Sequence, residues 1–301
     1  MKIIRYTILA LLCNVSLKFQ AQTDILDART NYSVGQVVSV TGIVTSGADL
    51  GSVRYLQDAS AGIALYPGAD WSDWTFEPNP GDEILITGEI SEYNGLLEVG
   101  PNLSVVELLS ADNPLPDAQI ISPNQLAENL EGQIVEIQNV TFEAGGQIIE
   151  GNATYSFSNG VESGVIYVRS SNSLVGTILN GCELNLSGIC SQFSFDGFGG
   201  YQLLPRGAAD MISTSGICLT SDVVQSNITT SSFDLSWSTD IPGNSVVEWG
   251  TTPALGNTTE NSELVEDHTV TLDGLEAGVI YYARVSSSFG NEQVVSPIRV
   301  Y

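Results

Sequence analysis

The chain is poor in positive charge: 301 residues carry 9 Lys and Arg against 35 Asp and Glu, a formal net charge of -26. It has one His and four Cys. That leaves few nitrogen and sulfur ligands for a zinc site, and no Cys or His sits close to His268 in sequence to complete one. Without a basic groove, the counterion release that drives phosphate-backbone binding is missing, which argues against autonomous nucleic-acid binding. No phosphate-cradling loop is present, because the glycines fall in turns and not between a strand and a helix beginning with Lys. Abundant Ser and Asp make a Ser–His–acid set a matter of chance, and the many acids supply carboxylate pairs without marking one. The chain therefore reads as non-catalytic, with no cofactor expected. Calcium needs several oxygens at short spacing, and only Asp70 and Asp73 approach that, as a weak signal.

Lys2 and Arg5 precede the apolar run Ile8-Leu9-Ala10-Leu11-Leu12, and Ala21-Gln22 follow. This is the pattern of a signal peptide over 1–22, so a secreted, extracellular protein is expected. No later stretch is long enough to span a membrane. Removing the leader takes Lys2, Arg5 and Lys18 with it, leaving six Arg against all 35 acids. Such a surface repels itself and stays dissolved.

What is present is repetition. Gly81-Asp82-Glu83-Ile84-Leu85-Ile86-Thr87-Gly88-Glu89-Ile90 returns 100 residues later as Gly181-Cys182-Glu183-Leu184-Asn185-Leu186-Ser187-Gly188-Ile189-Cys190. Ile84/Leu184, Ile86/Leu186 and Ile90/Cys190 alternate with outward residues, the period of a strand with one buried face. Gly88 and Gly188 interrupt both copies at one point, as at a bend or a close backbone approach. Around the first copy lie a capped helix near Thr23–Arg29, a strand over Gly35–Val44, a hairpin of Arg54–Asp58 with Gly62–Tyr66, and an Asn94-Gly95 turn into Leu96–Val99. Gly132–Val140, Tyr155–Phe157, Gly164–Val168 and Tyr201–Leu204 repeat that order, after a Pro-containing linker and a short helix from Ser122. Two five-stranded barrels are expected, over 23–118 and 119–212.

Tyr55-Leu56-Gln57-Asp58, Gly62-Ile63-Ala64-Leu65-Tyr66, Gly81-Asp82 and Glu92-Tyr93-Asn94-Gly95-Leu96-Leu97-Glu98 resemble the OB-fold domains in front of secreted bacterial nucleases and other extracellular phosphoesterases. Beyond a Ser/Thr/Gly linker at 213–220, Ser232–Trp237, Ser245–Thr252, His268–Leu272 and Gly274–Val285 resemble a fibronectin type III sandwich over 217–301, like those at the front of purple acid phosphatases. Leu275 six residues before Tyr281 fits a tyrosine corner, with Trp237 inward and His268 structural. The expected fold is all-β: two OB-like barrels followed by a fibronectin type III-like sandwich.

Three Cys remain after processing. Cys182 and Cys190 lie about 26 Å apart along an extended strand, too far to bridge. Cys190 replaces a core Ile, so a buried free thiol is expected there, with Cys190–Cys218 as the alternative pairing.

The function these features suggest is a secreted binding or spacer array that positions an extracellular polymer, protein or catalytic domain. A second reading makes it the accessory part of a secreted phosphodiesterase or nuclease, and a third a carbohydrate-binding module. Tyr66, Trp71 and Trp74 are the candidate ligand-binding residues. Trp71 and Trp74 are either a plug over the barrel end or an exposed stacking platform.

Overall fold

The computed structural model describes residues 21–72, 74–179, 181–214 and 216–301. The leader reading falls almost wholly outside them, as does Asp73. A short helix, α1 (Ile25–Asn31), begins at Asp24, whose side chain accepts from Asp27 N, and it buries Ile25 and Ala28 in the first barrel. Strands β1 (Val37–Val44), β2 (Arg54–Gln57), β3 (Gly62–Leu65), β4 (Glu83–Tyr93) and β5 (Leu96–Ser110) then close a barrel in the order β1-β2-β3-β5-β4. The β3–β5 pair is parallel and the others antiparallel. Alternation in β4 sends Ile84, Ile86 and Ile90 inward. Asn94 and Gly95, with φ of 52° and 91°, form the two-residue hairpin turn. β5 continues well past the Val99 expected from sequence.

The second barrel repeats this ring. β6 (Gln119–Ile121) leads in beside β7 (Ile134–Phe142). With β8 (Ala153–Ser158), β9 (Ser163–Val168), β10 (Leu184–Gln192) and β11 (Tyr201–Leu204), β7 forms the order β7-β8-β9-β11-β10, and β10 pairs back to β7. The β9–β11 pair is parallel, matching β3–β5. Both strand glycines mark close approaches. A Cβ on Gly88 would lie 2.7 Å from Leu103 Cδ2, and one on Gly188 would lie 2.6 Å from the Leu204 carbonyl oxygen. The expected helix from Ser122 is instead two 3-10 turns, Pro123–Gln125 and Glu128–Leu130. The capping box forms, but Leu126 leaves helical geometry at ψ 111°. So short a segment follows the burial of Leu126 and Leu130 in the barrel core instead of forming an α-helix.

The barrels pack on each other. Leu50, Tyr55, Ala64 and Leu96 of the first form one buried cluster with Ile134, Ile189 and Leu204 of the second. Gly62 and Gly132 meet backbone to backbone, leaving no room for a side chain at either. Arg29 reaches across to Glu131 at 3.1 Å and Glu128 at 2.5 Å, and Gln57 Oε1 accepts from Ile134 N at 3.0 Å.

After β12 (Met211–Ser213), which pairs with β10, come β13 (Val224–Ser226), β14 (Ser232–Gly250), β15 (Asn257–Asp273), β16 (Tyr282–Phe289), β17 (Glu292–Val295) and β18 (Arg299–Val300). The β14–β15 register shifts between Ser238 and Ser245. The first half of β14 pairs with β13, and its second half pairs with β16. Phe233, Leu235 and Trp237 from the first half share a core with Val247 from the second and with Ala283 and Val285 of β16. This is a fibronectin type III-like sandwich in which single bent strands serve both layers. The Tyr281 hydroxyl accepts from Glu276 N at 2.9 Å and Leu275 is buried, which is the geometry of a tyrosine corner.

The segment 213–220, expected as a linker, is largely packed. Ile217, Cys218 and Leu219 are buried in the sandwich core. Cys218 is bonded to Cys182, with Cα atoms 5.6 Å apart, and Cys190 is the buried free thiol. The Cys190–Cys218 alternative is thereby replaced. Cys182 precedes β10 and faces the sandwich, whereas Cys190 faces the core of the second barrel.

Candidate functional site

The residues singled out in the first barrel do not form one open surface. Trp71 is 5% exposed, lies in the barrel core and donates from Nε1 to the Ser52 carbonyl at 2.8 Å. The guanidinium of Arg54, itself ion-paired with Glu77, sits 6.0 Å from the centre of the indole. Trp74 is partly buried against the same core, and Tyr66 donates its hydroxyl to the Gly68 carbonyl nearby. Trp71 thus plugs the barrel and offers no free face for stacking.

His268 is equally enclosed. Its ring stacks on Trp237 at 4.9 Å, with Nδ1 2.8 Å from Ser245 Oγ and Nε2 2.9 Å from Thr239 Oγ1. Burial lowers its pKa, only partly offset by Asp267. At 1% exposure it is part of the sandwich core. Among the described residues, no three His, Cys, Asp or Glu converge as candidate metal ligands.

A better-formed site lies where the barrels meet. The β4–β5 hairpin tip of the first barrel crosses the end of β10. Ser194 N donates to the Asn94 carbonyl at 2.6 Å, and Tyr93 meets Phe193 edge-on with ring centres 6.5 Å apart. Gly95 presses on Gln192, where a Cβ would come within 2.6 Å of Cδ. Beside this contact opens a groove of about 410 Å³, lined by Tyr93 of the first barrel and by Phe193, Tyr167 and Arg169 of the second. Gln192, Gln202, Thr154 and Ser191 add amides and hydroxyls.

The local sequence explains this arrangement. In β9, Ile166 and Val168 point into the barrel, so alternation turns Tyr167 and then Arg169 outward. Below the groove, the Tyr55 hydroxyl is 2.8 Å from Ser191 Oγ, and burial raises its pKa to about 12. Above it, the loop 193–200 carries Phe195 and Phe198, 91% and 84% exposed, with Phe195 5.3 Å from Phe193.

Arg169 distinguishes the groove. Six arginines are the only Lys or Arg side chains among the described residues. Arg29, Arg54, Arg206, Arg284 and Arg299 each pair with a carboxylate. Among the described residues Arg169 has no ion-pair partner, and its buried Nε has no hydrogen-bond partner. A guanidinium keeps its charge, so in a strongly acidic chain this one stands outside every ion pair among the described residues. The sequence pointed to Tyr66, Trp71 and Trp74 and passed over Arg169. No local signal tells a paired arginine from an unpaired one.

These features define a class: an all-β chain of two packed barrels and a sandwich, with a polar-aromatic groove at the barrel junction. No family model matches the chain. Endonuclease YhcR of Bacillus subtilis (strain 168) is 24% identical over 206 residues, which is 64% of this chain and 16% of the endonuclease. Probable cytosol aminopeptidases of Acidovorax sp. (strain JS42) and Acidovorax ebreus (strain TPSY) are each 25% identical over 151 residues, 50% of this chain and 28% of the relative. The alignments with these curated relatives therefore take in less than a third of their length. Among solved structures, the FN1-FN3 domains of chicken CNTN1 are similar with a TM-score of 0.24 and 11% identity, over 75% of this chain and 79% of that one.

Proposed function

We propose that this chain is a secreted, non-catalytic binding region that holds an extracellular ligand in the groove between its barrels. The observation that carries this is Arg169, an unpaired cation beside three aromatic rings. A groove with a few convergent polar groups on apolar walls is the usual form of a ligand site. The charged leader read from 1–22 and the Cys182–Cys218 disulfide suit an oxidising exterior. The endonuclease and the aminopeptidases carry different activities in their names and align over small parts of their length. That supports an accessory role for the shared part.

A second reading is favoured by the endonuclease alignment: the barrels accompany a phosphodiesterase active site in another part of a longer protein. Incubating the purified chain with DNA, bis-p-nitrophenyl phosphate and p-nitrophenyl phosphate, with and without divalent metal, tests both. No turnover is expected. Metal-dependent turnover abolished by a substitution in either barrel would overturn the non-catalytic assignment.

A further inference from the structure

We propose that the groove takes a uronic acid unit of a largely neutral polysaccharide, with its carboxylate on Arg169 and its ring against the aromatic walls. This rests on the reading of the chain as a binding region and names the ligand class of the same groove.

Three features select that chemistry. The first is charge. Arg169 supplies one planar fork of donors, which matches a carboxylate through two parallel hydrogen bonds. It is the only cation in the groove of a chain with net charge -26. A polymer with a phosphate at every unit would gain one contact and meet repulsion along the rest of its length. Widely spaced carboxylates on a neutral chain avoid this.

The second is the polar lining. Gln202 brings an amide and Thr154 a hydroxyl to the groove surface, while Gln192 and Ser191 beneath them are buried, Gln192 Nε2 donating to the Gly199 carbonyl and Ser191 Oγ bonded to the Tyr55 hydroxyl. Both group types donate and accept, as ring hydroxyls of a sugar do. A peptide carboxyl terminus would use Arg169 but brings fewer hydroxyls to meet Gln202 and Thr154.

The third is shape. Tyr93 is 61% exposed and Phe193 44%. Together with Tyr167 they give the groove exposed aromatic surface for the C–H face of a sugar ring, while each tyrosine keeps a polar edge. Phe195, edge-on to Phe193 at 5.3 Å, and Phe198 add exposed aromatic surface on the adjoining loop 193–200 for a chain longer than one unit.

The test is calorimetric titration of the full chain with oligosaccharides cut from pectin, alginate and glucuronoxylan. Each is set beside its carboxyl-reduced form, which keeps the ring and loses the charge. At least one acidic oligosaccharide is expected to bind, with the reduced form about 10–100-fold weaker, the range for a lost hydrogen-bonded charge. Arg169→Gln should bind acidic and reduced forms alike, and Arg169→Lys should keep part of the preference. Arg284→Gln, whose arginine pairs with Glu248 in the sandwich, should change nothing. The acid-against-reduced comparison needs no variant, and Tyr93→Ala on the exposed hairpin tip locates the ligand should Arg169→Gln fold poorly.

Equal binding of the reduced forms, or a preference that survives Arg169→Gln, would overturn the proposal, as would no binding of any uronate. If oligo-dT or a carboxyl-terminal peptide binds instead and Arg169→Gln abolishes it, the binding region stands and the uronate assignment falls. Phosphodiester turnover without binding of any of these probes removes both.

Discussion

The first barrel closes its β4–β5 corner with two residues, Asn94 and Gly95, whereas the second uses eight, 193–200, for the equivalent β10–β11 corner. The strand order and the parallel closing pair are common to both. What differs is the outer surface. The first barrel turns Tyr55, Ala64 and Leu96 toward its neighbour and seals its end with Trp71. The second presents Tyr167 and Arg169 to the groove and Phe195 and Phe198 to solvent. A duplicated frame has kept its core and diverged in its loops and outward residues, where a barrel can change without losing closure. The short corner of one copy is what docks against the long corner of the other.

The two strand glycines put the shared frame under test. At Gly88 a new Cβ would meet the side chains of Leu103 and Val99, which can shift. At Gly188 it would meet the Leu204 carbonyl oxygen at 2.6 Å, which is backbone of the paired strand. Overpacking costs about 1–3 kcal/mol where neighbours can move and more where they cannot. Gly188→Ala should therefore lower unfolding free energy by about 3–4 kcal/mol and Gly88→Ala by about 1–2. Urea titrations of the two variants measure both. Equal losses would mean that the backbone contact at Gly188 yields as readily as the side-chain contacts at Gly88.

The boundary between the barrels gives the next effect. The Glu131 side chain is fully buried there, with Oε1 accepting from Arg29 and Leu97 N and Oε2 without a partner. Burial pushes its pKa up from 4.5 to about 7, only partly opposed by Arg29. The folded state thus holds this proton more tightly than the unfolded chain. The stability it contributes is complete below about pH 4.5 and is lost as pH rises through about 7. That loss amounts to up to ~3 kcal/mol. Glu131→Gln removes the titration, so the variant should gain on wild type by that amount between pH 4.5 and 7.5 in pH-dependent denaturation. A constant difference across that range would overturn the assignment.

The sequence made much of this frame readable. Alternation and the 100-residue offset located Ile84/Leu184, Ile86/Leu186 and the glycines, because strand burial has a period of two and closure demands a residue without a side chain. The offset fails in the middle hairpin. Tyr55 and Tyr155 stand 100 apart, yet Tyr55 faces the other barrel while Tyr155 lies in its own core. Turn lengths before β2 and β8 differ, and a one-residue slip exchanges the faces of a strand. The disulfide was hidden for a related reason: Cys182 lies inside the repeated stretch but ahead of β10 itself and belongs to the sandwich core, which no periodicity reports. The groove was the least legible part. It joins residues from 93 to 202, and what sets Arg169 apart is that no carboxylate among the described residues pairs with it.

The two tyrosines supply the smallest and most discriminating test. The Tyr55 hydroxyl bonds Ser191 Oγ across the barrel boundary at 2.8 Å, while the Tyr155 hydroxyl accepts from Glu150 N at 2.6 Å within the second barrel. Removing either hydroxyl as Phe keeps the ring and leaves one partner unsatisfied, at a cost of about 1 kcal/mol. The totals should be close, but the losses should fall in different places. Tyr55→Phe should raise amide hydrogen exchange at the boundary, around Ile134 and Ile189, and leave the core of the second barrel protected. Tyr155→Phe should do the reverse, raising exchange at Glu150 and along β8 while the boundary holds. If both variants loosen the same amides, the two barrels open as one cooperative unit, and the opposite facing of the two tyrosines has no separate energetic consequence.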